Sequence, residues 1–226
     1  MIATIADNVI RNNSGCLGSG ISTTTAAVTI ERNRIADNPQ DPACSGADGG
    51  GIFLNGDGAG ASLVANNLIS GHRIGGRGAG IAANGAMARL TIRENLITAN
   101  EANDGPGGGI FINLGSAVIT GNVLFNNSAQ SGGAMALAAV DNADRITASS
   151  NVMGQNRASL EGSAVFLVTV SQQGLQMVNN VIDGNSAVAL VHCGGVEYTV
   201  SPSNRLRNDG GPVLGGSCVF PSPSAP

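Results

Sequence analysis

The chain has few aromatic side chains and no lysine, although both are common on the surfaces with which proteins bind their partners. Its 226 residues include no tryptophan, one tyrosine, five phenylalanines and no lysine, so that all 11 basic residues are arginine. The formal charge of −4 argues against a nucleic-acid partner, because such proteins normally present a basic face. No apolar run approaches the roughly 18 residues that cross a bilayer, and no signal-peptide pattern begins the sequence. We therefore expect no membrane span in this chain.

Long regular segments are also lacking, since glycine interrupts the sequence throughout. The 34 glycines follow no three-residue period, which excludes collagen, and the hydrophobic content of 42% argues against disorder. Core-forming residues punctuated by glycine and asparagine are typical of many short strands joined by tight turns. This composition predicts an all-β protein.

An asparagine motif recurs along the chain. Its pattern is Asn-x-(Ile/Leu/Met)-x-x-Asn, and eight copies follow one another at spacings of 24 to 34 residues. The third copy ends in His72 and the eighth in Asp209, in place of asparagine. We predict that the first asparagines stack into a structural ladder and adopt the left-handed backbone region at turns. These residues are Asn8, Asn33, Asn67, Asn95, Asn122, Asn151, Asn180 and Asn204.

Two further apolar segments accompany each asparagine motif. One follows small residues, as in Gly108-Gly109-Ile110-Phe111-Ile112, and the other precedes the asparagine, as in Leu90-Thr91-Ile92. Each strand is too short to be stable alone, but stacked coils would pair equivalent strands about 4.8 Å apart. Parallel crossovers are nearly always right-handed. The repeat thus predicts a right-handed parallel β-helix solenoid of about eight coils, each with three short strands.

The repeat resembles that of the pectin-lyase-like superfamily, and most closely the polymorphic outer-membrane (autotransporter-type) proteins. Those carry Gly-Gly-Ala-Ile and Phe-x-x-Asn tetrapeptides, which Gly132-Gly133-Ala134-Met135 and Leu124-Phe-Asn-Asn127 approach. Aliphatic residues replace the phenylalanine in most copies. The resemblance covers nearly the whole chain and implies the fold, while its members include lyases, hydrolases, epimerases and adhesins.

The four cysteines are predicted to form two disulfides. Cys193 lies five residues after Val188, and Cys218 lies five residues after the equivalent Val213. This spacing predicts that the two cysteines occupy the same position in adjacent coils, close enough to form a disulfide. Cys16 and Cys44 lie in corresponding loops and form the second predicted pair. A metal site is the rival interpretation, but no Cys-x-x-Cys spacing occurs and the chain has two histidines. We expect no metal and no cofactor, and an oxidising compartment.

Candidate catalytic residues cluster in the loops between the asparagine turns and the glycine-led strands. Stacked loops would place acids beside a basic group, which suits an enzyme acting on an acidic glycan because arginine neutralises carboxylate and histidine transfers a proton. The competing interpretation is that these groups form surface ion pairs and that His72 replaces a turn asparagine. The residues are Asp48, His72, Arg73, Arg77, Glu101 and Asp104.

The leading hypothesis is an exported or cell-surface structural and adhesive module without catalytic activity. A polysaccharide lyase, hydrolase or epimerase is the alternative, and a subunit that stacks head to tail is the second. A surface glycan or a host or cell-surface protein would be the partner. Residues 1–219 form the predicted β-helix and residues 220–226 a Pro/Ser-rich tail or linker. We expect this chain to be part of a longer extracellular or bacterial outer-membrane protein.

Overall fold

The described part of the protein is a rod of stacked coils. The structure, a computed structural model, describes residues 3–24, 27–56, 60–85, 89–113, 115–139, 145–169, 174–186, 188–208 and 211–221. Asp209 and residues 222–226 of the predicted tail lie outside the described residues. These ranges contain 27 β-strands, numbered β1 to β27 along the chain.

Three long parallel sheets form the walls of the rod, and almost every coil contributes one strand to each. The eight strands of the second sheet enclose seven full turns, close to the predicted eight coils. The first sheet contains β1 (Ala3–Ala6), β4 (Val28–Glu31), β7 (Ala61–Ala65), β11 (Arg89–Arg93), β15 (Ser116–Thr120), β19 (Arg145–Ser149) and β23 (Leu175–Val178). The second contains β2 (Val9–Arg11), β5 (Arg34–Ala36), β8 (Leu68–Ser70), β12 (Leu96–Thr98), β16 (Val123–Phe125), β20 (Val152–Gly154), β24 (Val181–Asp183) and β26 (Arg205–Arg207). The third contains β3 (Ile21–Thr24), β6 (Ile52–Asn55), β10 (Ile81–Asn84), β14 (Ile110–Asn113), β18 (Met135–Ala139), β22 (Val165–Thr169), β25 (Val191–Thr199) and β27 (Leu214–Val219).

A fourth, shorter sheet was not predicted. The sequence predicts loops for the segments that follow the second asparagine of each motif, but four of these segments pair as parallel strands between the second and third sheets. They escaped prediction because they are short and carry few large apolar residues. The strands are β9 (Arg73–Ile74), β13 (Glu101–Pro106), β17 (Ser128–Ser131) and β21 (Arg157–Glu161).

The core fills the space between the sheets with aliphatic side chains. In the second sheet the middle residue of each strand faces inward, as alternation along a strand requires. Ile35, Ile69 and Ile97 align in register there and are fully buried. At the start of the third-sheet strands, glycine permits close stacking, since a Cβ on Gly80 would lie 2.5 Å from the carbonyl oxygen of Gly109.

Hydrogen bonds join the first asparagines of the motifs into a ladder along the rod. In its middle, the side-chain nitrogen Nδ2 of Asn95 donates to Oδ1 of Asn122 at 3.0 Å, and the backbone N–H of Asn95 donates to the same oxygen at 3.0 Å. Asn95 Nδ2 also donates to the carbonyl oxygen of Val64 at 3.0 Å. The pattern links the first asparagines from Asn8 to Asn204. A parallel ladder joins the second asparagines.

The predicted backbone conformation of these asparagines is wrong. At every ladder position but Asn204, the residue before the ladder asparagine occupies the left-handed region, as Asn66 (φ 56°) and Glu94 (φ 55°) do, rather than the asparagine itself. Even Ala99 adopts this conformation, so the corner does not select for asparagine. The corner residue turns the chain, and the following asparagine then directs its amide inward to satisfy buried backbone groups.

Both predicted disulfides form, although one of them rests on a different register. Cys16 and Cys44 have Cα atoms 5.6 Å apart, and Cys193 and Cys218 have Cα atoms 5.1 Å apart. Cys218 does not pair with Cys193 in the sheet: its strand partner is Tyr198. A register shift in β25 between Cys193 and Tyr198 offsets the two cysteines, which equal spacing from a valine does not reveal.

The disulfides predict the mass of the non-reduced protein. We expect intact mass spectrometry to show four fewer hydrogens than the fully reduced chain, because no described cysteine is free. Peptide mapping should recover the Cys16–Cys44 and Cys193–Cys218 cross-links. Alkylation of all four thiols without prior reduction would contradict both bonds.

Candidate functional site

His72 is a rung of the second asparagine ladder. Asn38 accepts hydrogen bonds from Asn13 at Oδ1 and therefore presents its Nδ2 to Nε2 of His72, at 3.2 Å. On the other side, Nδ1 of His72 lies 2.8 Å from Oδ1 of Asn100, whose Nδ2 in turn donates to Asn127. Since Nε2 must accept from Asn38 and Nδ1 must donate to Asn100, the imidazole is neutral and carries its hydrogen on Nδ1.

Burial keeps His72 neutral. The side chain is fully buried, and desolvation lowers the pKa of His72 from 6.5 to about 4, against a smaller opposing effect of the hydrogen bond to Asn100. An acid–base group must reach the proton that it transfers. Here both ring nitrogens are occupied by neighbouring coils, so the geometry assigns His72 to the scaffold.

Asp48 and Arg77 form a clamp between two successive loops. Nε and Nη2 of Arg77 donate to the two carboxylate oxygens of Asp48 at 3.1 and 2.7 Å, and the Arg77 backbone N–H donates to Oδ1 at 2.9 Å. Asp48 is buried, and the Arg77 guanidinium also lies 5.1 Å from the ring centroid of Phe111. A bidentate pair of this kind fixes the geometry of the two loops. It also engages the Asp48 carboxylate and the Arg77 guanidinium with each other.

Arg73 and Glu101 face each other across β9 and β13. Nε of Arg73 lies 3.2 Å from a Glu101 carboxylate oxygen, and the two residues are in register. The Arg73 side chain is 78% exposed and that of Glu101 37%, so solvent weakens this pair. Asp104 is exposed further along β13, where its backbone N–H donates to the carbonyl oxygen of Gly75 at 3.1 Å. The predicted cluster is thus divided into a buried rung, a clamp and an exposed pair.

A cleft of about 600 Å³ crosses the fourth sheet. One row of its lining consists of polar residues at the same register position of successive coils: Glu101, Ser128, Arg157 and Ser186. The neighbouring row is formed by Ala102, Ala129 and Ala158, which are buried. Asn103, Ser159 and Val188 complete the lining.

Sequence reasoning missed most of this cleft. Among the lining residues the sequence points only to Glu101, because serines and alanines carry no charge and the register that Arg157 shares with them is not evident from the sequence. A usable signal exists in the sequence, since the second ladder asparagine is followed by x-Ala in four successive coils. These segments are Asn100-Glu101-Ala102, Asn127-Ser128-Ala129, Asn156-Arg157-Ala158 and Asn185-Ser186-Ala187.

In the described ranges, no group of three or more His, Cys, Asp or Glu side chains has the arrangement of a metal site. The same ranges contain no helix with the length and apolar character of a membrane span.

Comparison with known proteins agrees with the architecture. The family model described as a right-handed beta helix region matches residues 1–143 and again residues 44–209. Together these matches cover most of the chain and confirm the predicted hand of the coil. No curated protein and no solved structure matches the sequence significantly.

Proposed function

Because the chain belongs to the family of right-handed beta helix regions, we propose that it is an exported structural and adhesive module without catalytic activity of its own. One observation carries this proposal. The residues that best suited catalysis are used in holding successive coils together, with His72 buried in a ladder and Asp48 clamped by Arg77. What remains accessible is a cleft lined mainly by groups that bind rather than react.

Two features support a location outside the cytoplasm. The two disulfides suit an oxidising compartment, because thiols stay reduced in the cytosol. The repeat also resembles the pectin-lyase-like superfamily, whose members include adhesins, and within it the polymorphic outer-membrane proteins. We infer an extracellular or bacterial cell-surface setting.

The alternative is an enzyme acting on an acidic glycan, and Glu101 favours it. This carboxylate lines the cleft beside Arg73, where a substrate could reach both. Hydrolysis of a glycosidic bond normally uses two carboxylates on opposite sides of that bond. Among the described lining residues of the cleft, Glu101 is the single carboxylate, which is the reason we rank binding above hydrolysis.

Turnover of polysaccharides separates the two functions. We expect no change in polymer size and no new reducing or unsaturated ends when the protein is incubated with acidic and neutral polysaccharides, because the cleft lacks a paired acid and base. Size-exclusion chromatography and absorbance of unsaturated ends provide the measurement. Depolymerisation that disappears in Glu101→Gln and Arg73→Ala, but persists in the exposed control Glu197→Gln, would establish the enzyme instead.

A further inference from the structure

The lining of the cleft on the fourth sheet carries one acidic and one basic side chain, Glu101 and Arg157. Arg73 lines an adjoining depression that shares these two residues. Arg73 is paired with Glu101, whereas no acidic side chain among the described residues pairs with Arg157. Its Nε only donates to Oγ of Ser186, at 3.4 Å. The exposed guanidinium of Arg157 is therefore open to a carboxylate.

The rest of the lining combines small apolar surface with hydrogen-bonding groups. Ala129 and Ala158 leave room for short side chains, and Ser128, Ser159 and Asn103 offer hydroxyl and amide groups. Sugar-binding clefts commonly use aromatic rings on which the sugar stacks, and none occurs among the described lining residues. Serine and asparagine side chains can instead pair with the amide groups of a polypeptide backbone.

The shape of the cleft sets the length of its ligand. Its polar row runs along the rod axis from Glu101 to Ser186, over three coil-to-coil steps. At about 4.8 Å per step the row is about 14 Å long, which matches about four residues of extended chain. The fourth sheet ends at β21, and Ser186 pairs with Arg157 through an isolated bridge. That end of the cleft is therefore not extended by a further described strand of the fourth sheet.

We propose that this cleft binds a short extended peptide of a partner protein that carries an acidic side chain. The carboxylate pairs with the Arg157 guanidinium, which holds it through two parallel hydrogen bonds. Ser128 and Ser159 bond to the peptide backbone, and small side chains of the peptide rest on Ala129 and Ala158. This inference rests on the proposed adhesive function, for which it supplies the class of partner.

Immobilised short peptides test the proposal directly. The probes place a central Asp, Asn, Ala or Lys within an Ala/Ser background, and binding of the intact protein is measured by surface plasmon resonance. We expect the Asp peptide to bind best and Arg157→Gln to weaken its binding about tenfold, as loss of a charged hydrogen bond does. Ser159→Tyr should abolish binding by filling the cleft without changing its charge. Arg89→Gln, an exposed arginine on the first sheet, is the matched control and should bind like the wild type.

Three other outcomes would contradict these proposals. Equal binding of the Asp and Asn peptides, or an undiminished affinity in Arg157→Gln, would overturn the role of Arg157. Binding of acidic oligosaccharides that Ser159→Tyr abolishes, with no peptide bound, would assign the cleft to a glycan and overturn the proposal. Polysaccharide turnover would overturn the non-catalytic function while leaving peptide binding to be judged by these variants alone.

Discussion

Replacing Asn127 with alanine should lower the free energy of unfolding by about 4 kcal/mol, whereas Asn126→Gly should change it by less than about 0.5 kcal/mol. The two asparagines are adjacent, yet Asn127 is a buried rung of the second ladder and Asn126 is an exposed corner residue. Asn126 has φ 54°, a conformation that glycine adopts freely. Urea denaturation monitored by circular dichroism measures both changes.

The large effect follows from the number of buried groups that Asn127 satisfies. Its Oδ1 accepts the backbone N–H of Asn100 at 3.1 Å and Nδ2 of Asn100 at 3.0 Å. Its own Nδ2 donates to the carbonyl oxygen of Ile97 at 2.9 Å and to Oδ1 of Asn156 at 3.0 Å. Alanine would leave the Asn100 N–H without this acceptor and the Ile97 carbonyl without this donor, and each unsatisfied buried group costs about 1–3 kcal/mol. Equal stabilities of the two variants would mean that the ladder does not hold the coils together.

Much of this fold could be predicted because its main interactions repeat. An inward asparagine every coil and an apolar residue two positions later define the ladder and the core wall, as Asn95 and Ile97 illustrate. Since the coils stack, the repeat alone predicts that equivalent residues of successive coils are neighbours. The Cys16–Cys44 bridge between successive coils could be predicted for the same reason.

The features that were missed depend on deviations from the repeat. Pairing of Glu101, Ser128 and Arg157 depends on three short segments with different polarity, so no hydrophobic pattern marked a strand. Cys218 is offset by a register shift inside β25, which residue counting cannot place. The sequence predicts Asp48 and Arg77 as catalytic candidates because they are charged, but in the structure they pair with each other and join two loops. Charge alone does not tell an ion pair from a reactive group.

Acid should destabilise the wild-type protein more than a His72→Asn variant, by about 2.5 kcal/mol between pH 7 and pH 4.5. The pKa of His72 is lowered from 6.5 to about 4 in the folded state by burial, so the unfolded state binds the proton more tightly. As the pH falls below 6.5, protonation of the unfolded chain therefore reduces stability, and the loss continues until the pH reaches about 4. Urea denaturation of both proteins across this range gives the two slopes.

The hydrogen bonds of the ladder explain why protonation of folded His72 is unfavourable and why His72→Asn removes this pH dependence of stability. Protonated His72 would direct an N–H at Nδ2 of Asn38, so that two donors would meet 3.2 Å apart in a buried site. Asparagine does not titrate, and at the equivalent rung Nδ2 of Asn100 donates both to Asn127 and to the Ile69 carbonyl oxygen. His192 remains in both proteins and cancels in the comparison. Parallel pH profiles for the wild type and His72→Asn would show that His72 is protonated in the fold or reached by water, and would return it to consideration as a reactive group.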